Sequence, residues 1–121
     1  MPEKVNYYND LKVWNKAMDL VVEVYKLQRL LPKIETYVLS DQMRRAAISV
    51  PSNIAEGHSS GGTGRYVSFL KIAKASVAEL ETQILLGERL NYFSEEEISS
   101  ALALCQETGK MLNALISKLN E

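Results

Sequence analysis

The side chains of this sequence with the clearest chemical potential are two adjacent arginines, Arg44 and Arg45, inside the stretch 40–57. A guanidinium group binds phosphate oxygens in a planar fork, so each arginine could contact a nucleic-acid backbone. Each could instead form an ion pair, because Asp41 precedes Arg45 by one helical turn and acidic residues of other helices could face it. We predict a phosphate contact for Arg44 and a structural role for Arg45.

A second candidate for anion binding is the glycine-rich segment 61–65, GGTGR, at the predicted start of a helix. Backbone N–H groups at a helix N-terminus, together with the Arg65 guanidinium, form a generic anion site. The segment lacks the Gly-Lys-Ser/Thr ending and the preceding strand of a nucleotide-binding loop. Lys71 and Lys74 follow on the same helix, so we predict further phosphate contacts there.

Residues suited to metal binding or covalent catalysis are scarce. The sequence has one histidine, His58, in a predicted flexible loop, and one cysteine, Cys105, on an apolar helix face. A di-iron bundle needs Glu-x-x-His pairs on two helices, and structural zinc sites need four cysteine or histidine ligands. No nucleophile and base can be paired. The sequence therefore predicts a protein that is not an enzyme and has no cofactor and no metal.

The remaining polar residues of interest lie on the flanks of the predicted helices and are interpreted as a structural polar cluster. Its members are Gln42, Arg45, Asn53, Glu56 and Glu79. A small-molecule site near Asn53, Glu56 and Glu79 is a further hypothesis, which a convergent pocket holding these three groups would support.

Charge is distributed unevenly along a chain whose net charge is only −1. Residues 42–78 contain five basic residues and one acidic residue, whereas residues 79–121 contain three basic and eight acidic residues. The neutral total does not by itself indicate a nucleic-acid-binding protein. A basic middle and an acidic end indicate either a binding face or two surfaces that meet in an oligomer.

Apolar residues recur at spacings of three and four in four stretches of this 121-residue chain, at roughly 11–30, 40–57, 63–90 and 95–119. Because the predicted connections are mostly short, the fold class is all-α, an antiparallel up-down-up-down four-helix bundle. We expect a polar tail at residues 1–9 and one domain at residues 10–121. No apolar run has membrane-spanning length and the start lacks a signal peptide, so we expect a cytoplasmic protein with no membrane contact.

The ends of these helices have recognisable signals. Asp10 and Ser40 are predicted N-caps, and Ser94 with Glu97 three residues later predicts a capping box. Gly57 is a candidate C′ residue. Gly109 stands on a heptad seam of the last helix and predicts a close helix approach, with Gly87 in the same role in the third helix.

The second helix contains a proline, Pro51, which has no N–H for the carbonyl of Ala47 and whose ring crowds that carbonyl. A kink is therefore predicted near Pro51. The first and third helices carry two stripes each, and the second stripe of the third helix mixes apolar with polar residues: Ile72, Ser76, Glu79, Gln83 and Leu86. This apolar surface exceeds what one bundle core needs, so we expect an oligomer.

Three segments resemble one known family: DLKVWNKAMDL at 10–20, LSDQMRRAAISVPSNIAEG at 39–57 and RYVSFLKIAKASVAELETQI at 65–84. The chain resembles the four-helix-bundle family of 23S rRNA intervening-sequence proteins over about residues 10–119. The most specific positions are Gln42, Arg44-Arg45-Ala46, the run 52–57, Phe69, Ala73, Ser76 and the run 79–81.

The resemblance implies an antiparallel bundle that assembles as a ring-like homopentamer in bacteria, with no catalytic activity. The family is similar to the accessory variability protein of diversity-generating retroelements, which binds nucleic acid and a reverse transcriptase and is strongly basic. We therefore predict a non-enzymatic homo-oligomer that binds RNA, DNA or a nucleoprotein partner through Arg44, Arg65, Lys71 and Lys74. The alternative is a scaffold for protein–protein interaction with no nucleic-acid role.

Overall fold

The computed structural model describes residues 7–121 and has four α-helices in this part of the chain. They are α1 (Lys12–Gln28), α2 (Leu39–Ser59), α3 (Thr63–Arg89) and α4 (Glu95–Leu119). Two short 3-10 turns precede α1 and α2, at Tyr8–Asp10 and Lys33–Glu35. The predicted all-α fold is confirmed, and the predicted helix positions agree with the observed ones to within a few residues.

Packing joins the helices in a closed cycle. Each helix packs against the next one in the chain, and α1 packs against α4, whereas no two Cα atoms of the described residues lie within 8 Å of each other across either diagonal of the bundle. The two neighbours of each helix explain its wide apolar arc, because a helix in a bundle buries the stripe that faces both. The largest fully buried side chains are Leu20, Met43, Ile54, Leu70, Leu80, Ile84, Ile98 and Leu112. This packing is that of a four-helix bundle, while the up-down-up-down chain direction and the domain limits stay predictions.

The start of α4 has the predicted capping box. The Glu97 backbone N–H donates to Ser94 Oγ at 3.1 Å, and the Ser94 backbone N–H donates to Glu97 Oε1 at 2.8 Å. Both groups would otherwise lack an intrahelical partner. Three glutamates in the first turn also interact favourably with the positive end of the helix dipole.

Removing this cap is expected to destabilise the protein measurably. We expect Ser94→Ala to lower the free energy of unfolding by about 1 kcal/mol, because the Glu97 N–H loses its acceptor. Urea denaturation followed by circular dichroism measures the change, with Ser99→Ala on the exposed face of the same helix as the control. Equal stability of the two variants would contradict a stabilising role for the cap.

Two predicted N-caps are wrong. Asp10 lies in the 3-10 turn before α1, and the N-cap position of α1 is Leu11, which makes no side-chain capping bond. Ser40 lies inside α2, where its hydroxyl donates to Gln28 Oε1 of α1 at 2.7 Å. Ser40 is therefore a buried tie between α1 and α2, because the helix already begins at Leu39.

The C′ role predicted for Gly57 is also wrong, since α2 continues to Ser59. Gly57 is buried against α3, and a Cβ at this position would lie 2.8 Å from Phe69 Cβ and 3.3 Å from the Tyr66 backbone oxygen. The glycine is thus required for a close approach of two helices. Pro51 lies within a continuous helical stretch, and a kink there stays a prediction.

The two glycines predicted to mark close contacts behave differently. A Cβ on Gly87 would lie 2.6 Å from Phe93 Cδ2, so the buried Phe93 ring packs directly on the α3 backbone. A Cβ on Gly109 would have no heavy atom within 4 Å. The close approach predicted at Gly109 is therefore wrong within this chain. At Gly87 a close contact is present, but it is made by Phe93 in the α3–α4 turn and not by another helix.

Candidate nucleic-acid interface

Helices α2 and α3 meet along a polar seam. Ser49 and Ser76 share a hydrogen bond of 2.8 Å between their hydroxyls, and the Asn53 amide donates to the backbone oxygen and the hydroxyl of Ser49 at 2.8 and 2.9 Å. The small serine side chains permit a close helix approach, as Gly57 does about two turns later in α2. The Asn53 amide therefore forms its hydrogen bonds within α2, beside the contact with α3.

The two arginines of α2 share one acidic neighbour. Arg45 Nε donates to Asp41 Oδ2 at 3.0 Å, and an Arg44 Nη2 atom lies 4.0 Å from Asp41 Oδ1. Arg44 Nε also donates to the Ser40 backbone oxygen at 3.3 Å. The Arg45 side chain is 79% exposed, so its ion pair lies at the surface and contributes little to stability.

The three other predicted cations are exposed on α3: Arg65, Lys71 and Lys74. Within residues 7–121 none of the three forms an ion pair. At 100° per residue, Lys71 and Lys74 lie roughly 140–160° around α3 from Ser76, which faces α2. They therefore lie on the outer surface of α3, away from Arg44, and the four predicted contacts do not form one compact patch.

The other members of the predicted polar cluster, Gln42, Glu56 and Glu79, do not all lie close together in the structure. Glu79 Oε1 accepts a bond of 3.3 Å from Gln83 Nε2, whereas the Glu56 side chain is exposed. Gln42 and Gln83 line one surface groove at the junction of α2 and α3. Asn53, Glu56 and Glu79 line none of the five best-defined grooves of residues 7–121, so the small-molecule hypothesis gains no support from them.

This groove, which we name the amide groove, has a volume of about 330 Å³. Its lining residues are Glu35, Val38, Leu39, Gln42, Gln83, Leu86 and Leu90. Gln83 is 8% exposed, and its Oε1 atom has no hydrogen-bond partner in the described part of the chain. The sequence signal for Gln83 was its place on the mixed second stripe of α3, but the lack of a donor for its oxygen was visible only in the tertiary structure.

One wall of the amide groove is held by a long-range hydrogen bond that the sequence did not predict. Tyr92 Oη, in the α3–α4 turn, donates to Glu35 Oε2 at 2.8 Å. This bond, with smaller contributions from burial and the Glu35 charge, raises the pKa of Tyr92. The hydrogen bond ties the connection between α1 and α2 to the far end of α3. It therefore positions Glu35 and Val38 beside the groove.

A second apolar surface lies between α1 and α2, which we name the α1–α2 face. Met18, Val22 and Ile48 are each more than 40% exposed on it. A groove of about 350 Å³ crosses this surface and is lined by Tyr8, Trp14, Met18, Val21, Ile48, Pro51, Ser52 and Ala55. The excess apolar surface expected on the first helix is thus present, but on this face it is shared with α2. The excess expected on the third helix is present as exposed Ile72, Leu85 and Leu86.

Cys105 is buried on α4, as the sequence predicted, and burial together with the charge of Glu81 raises its pKa to about 12. Above pH 9 the unfolded thiol loses its proton, because its ordinary pKa is 9.0, while the folded thiol retains it. Folding stability is therefore expected to fall as pH rises from about 9 to 12. Urea denaturation at several pH values measures this decline, and Cys105→Ala should reduce it. An unchanged slope in the variant would contradict the assignment.

Among the described residues no three histidine, cysteine, aspartate or glutamate side chains are placed to hold a metal ion. The helices of residues 7–121 also include none long and apolar enough to cross a membrane.

Comparison with known proteins places this architecture in a family. Residues 9–114 match the profile of the 23S rRNA-intervening sequence proteins. A crystal structure from Bacteroides thetaiotaomicron, described as a protein of unknown function from the S23 ribosomal protein family, superposes with a TM-score of 0.80 at 26% identity, covering 86% of this chain and 97% of the other. No curated protein is significantly similar in sequence. The chain is a four-helix bundle and belongs to the family of 23S rRNA-intervening sequence proteins.

Proposed function

We propose that this protein is a non-enzymatic, cytoplasmic homo-oligomer that binds RNA, or a nucleoprotein containing it, through phosphate contacts. The observation that carries the proposal is the set of exposed cations on α3, Arg65, Lys71 and Lys74, none of which forms an ion pair within residues 7–121. Exposed lysine and arginine side chains bind the phosphates of a strand and release its condensed counterions. Arg44, on α2, is the fourth predicted cation and lies away from Lys71 and Lys74.

The charge distribution supports the same proposal. Residues 42–78 carry a net charge of +4 although the whole chain carries −1. An acidic remainder keeps non-specific attraction to polyanions low, so binding must depend on the local basic surface. DNA remains a second possible strand, because phosphate contacts do not by themselves distinguish the two.

Self-association is supported by the α1–α2 face. Exposed apolar side chains that are grouped around one groove are typical of a surface that contacts another protein chain. We propose that identical copies cover this face, and the family resemblance suggests five copies in a ring. Light scattering of the purified protein should give a multiple of the 13.6 kDa chain mass. A monodisperse monomer at working concentration would contradict self-association.

The binding proposal is tested by a salt titration. We expect the apparent affinity for a structured RNA to fall steeply between 50 and about 200 mM salt, with each phosphate contact adding about 0.7–0.9 to the slope of log affinity against log salt. Single-stranded DNA of matched length provides the comparison. Weak binding to every nucleic acid at low salt would exclude the proposal.

The alternative is a scaffold for another protein, which the same exposed apolar residues favour. The two functions are separated by purification from the native host with and without nuclease. Partners that remain after nuclease treatment support the scaffold, whereas partners that are lost support an RNA-dependent complex.

A further inference from the structure

We propose that the amide groove binds an unpaired nucleobase that carries an exocyclic amino group, such as cytosine or adenine. This inference rests on the proposed function, because the base would belong to an RNA whose phosphates contact the protein. It goes further by assigning a base-reading site on the seam between α2 and α3. Phosphate contacts position a strand, whereas groups that contact base edges distinguish its sequence.

The first observation is a buried acceptor without a donor. Three buried side-chain atoms lack a hydrogen-bond partner in the described residues: Tyr66 Oη, Gln83 Oε1 and Thr108 Oγ1. Of these residues, Gln83 lines the amide groove. Its Nε2 atom donates to Glu79, so the amide orientation leaves the oxygen as the group that needs a donor. A ligand that brings an N–H group would satisfy it.

The second observation is the chemistry of the surroundings. The Glu35 carboxylate, which lines the groove, accepts one hydrogen bond, from Tyr92, and can accept more. Polar atoms of this kind attract an amino group and repel a carbonyl oxygen. Cytosine presents an N4 amino group and adenine an N6 amino group, whereas uracil, like thymine, presents the O4 oxygen at the corresponding position. The groove is therefore suited to cytosine and adenine.

The third observation is the shape of the site. Leucine side chains form apolar walls, from Leu39 on α2 and from Leu86 and Leu90 at the end of α3. The volume of about 330 Å³ lies at the lower end of the range of about 300–1,000 Å³ for ligand pockets. In the proposed complex a planar base lies against these leucines, and its edge meets the polar atoms of Gln83 and Glu35.

Groups for the rest of the strand lie beside the groove. Tyr37, next to Val38 in the chain, is 90% exposed and can stack on a neighbouring base. Arg45 lies one helical turn after Gln42 and presents a largely exposed guanidinium to a phosphate. Single-stranded segments, whose bases are free to turn outward, are the usual targets of sequence-specific RNA recognition.

The test compares two pyrimidine oligonucleotides that differ in the exocyclic group, the 15-nucleotide homopolymers of cytidine and uridine. Fluorescence anisotropy at pH 7.5 and one fixed salt concentration should show that the wild-type protein binds the cytidine strand about tenfold more tightly. Gln83→Leu should reduce the ratio to about one while the affinity for the uridine strand stays unchanged. Gln106→Leu, an exposed glutamine on α4, is the matched control and should retain the preference.

A second variant protects the test against a folding defect. Gln42 is exposed, so Gln42→Leu should keep the circular dichroism spectrum and lower the preference at least threefold. Equal affinity of the wild-type protein for both strands would overturn the base site and leave the proposed phosphate binding intact. Failure to bind either strand would overturn both. A loss of oligomer mass in Gln83→Leu would show that a second copy of the chain covers the groove, which also overturns the base site.

Discussion

Gly57→Ala is expected to lower the free energy of unfolding by about 1–3 kcal/mol, although alanine is the better helix former. The added methyl carbon would lie 2.8 Å from Phe69 Cβ and 3.0 Å from Tyr66 Cδ1, so α2 and α3 must separate. The Phe69 Cβ position is fixed by the α3 backbone, so this atom cannot rotate away. Urea denaturation followed by circular dichroism measures the change in stability.

The matched control for this substitution is Gly109→Ala. Gly109 is also inside a helix, but a Cβ there would have no heavy atom within 4 Å. The second variant should therefore gain about 0.5–1 kcal/mol from reduced backbone freedom in the unfolded chain. If Gly57→Ala were as stable as Gly109→Ala, the close approach of α2 and α3 at Gly57 would be incorrect.

Charge reversal on the outer surface of α3 is expected to have the largest effect on RNA binding. We expect the double variant Lys71→Glu, Lys74→Glu to bind a single-stranded RNA at least about tenfold more weakly at 50 mM salt. It should also reduce the slope of log affinity against log salt by about 1.4, since each lost phosphate contact accounts for about 0.7. Both side chains are exposed, so the fold should be unaffected. A filter-binding salt titration provides both quantities.

The control for net charge is Lys110→Glu, Lys118→Glu, which makes the same change of −4 on α4. Both of these lysines are exposed and lie in the acidic part of the sequence. This control should leave the salt slope close to that of the wild-type protein. A slope that falls equally in the two double variants would mean that total charge, and no particular surface, governs binding.

The predicted helix N-caps were correct at one position and wrong at two. The capping box at Ser94 and Glu97 was predicted correctly, because it depends on residues three apart that meet in any helix start. Asp10 and Ser40 have the same cap-forming side chains, yet Ser40 is turned to Gln28 of another helix. A capping residue with a competing tertiary partner is indistinguishable in sequence from one without.

The glycines illustrate the same limit. Gly57, Gly87 and Gly109 each interrupt a helical pattern, and all three suggested either a helix end or a close contact. Only the packing of neighbouring elements distinguishes them, since the first contacts α3, the second contacts Phe93 and the third contacts nothing within 4 Å. Which neighbour a glycine faces depends on residues far away in the chain.

In the candidate site, too, the residue types could be predicted from the sequence, whereas their arrangement could not. Residue types and the charge contrast between 42–78 and 79–121 identified the cations as candidate phosphate contacts, and these contacts stay predictions. Their arrangement was not predictable, because the rotation of α3 about its axis is set by packing against α2 and α4. That rotation directs Lys71 and Lys74 outward and places Gln83 in the amide groove.

The amino-acid sequence alone determined the four helices, their amphipathic character, the all-α class and the family, because these depend on periodicity and on short motifs. The tertiary structure decided which polar groups meet across the α2–α3 seam, that the buried Gln83 oxygen lacks a donor, and that Tyr92 reaches Glu35 across 57 residues. The physical reason is that a hydrogen bond or a steric contact between helices depends on their relative rotation and separation. Those two quantities are properties of the packed core as a whole.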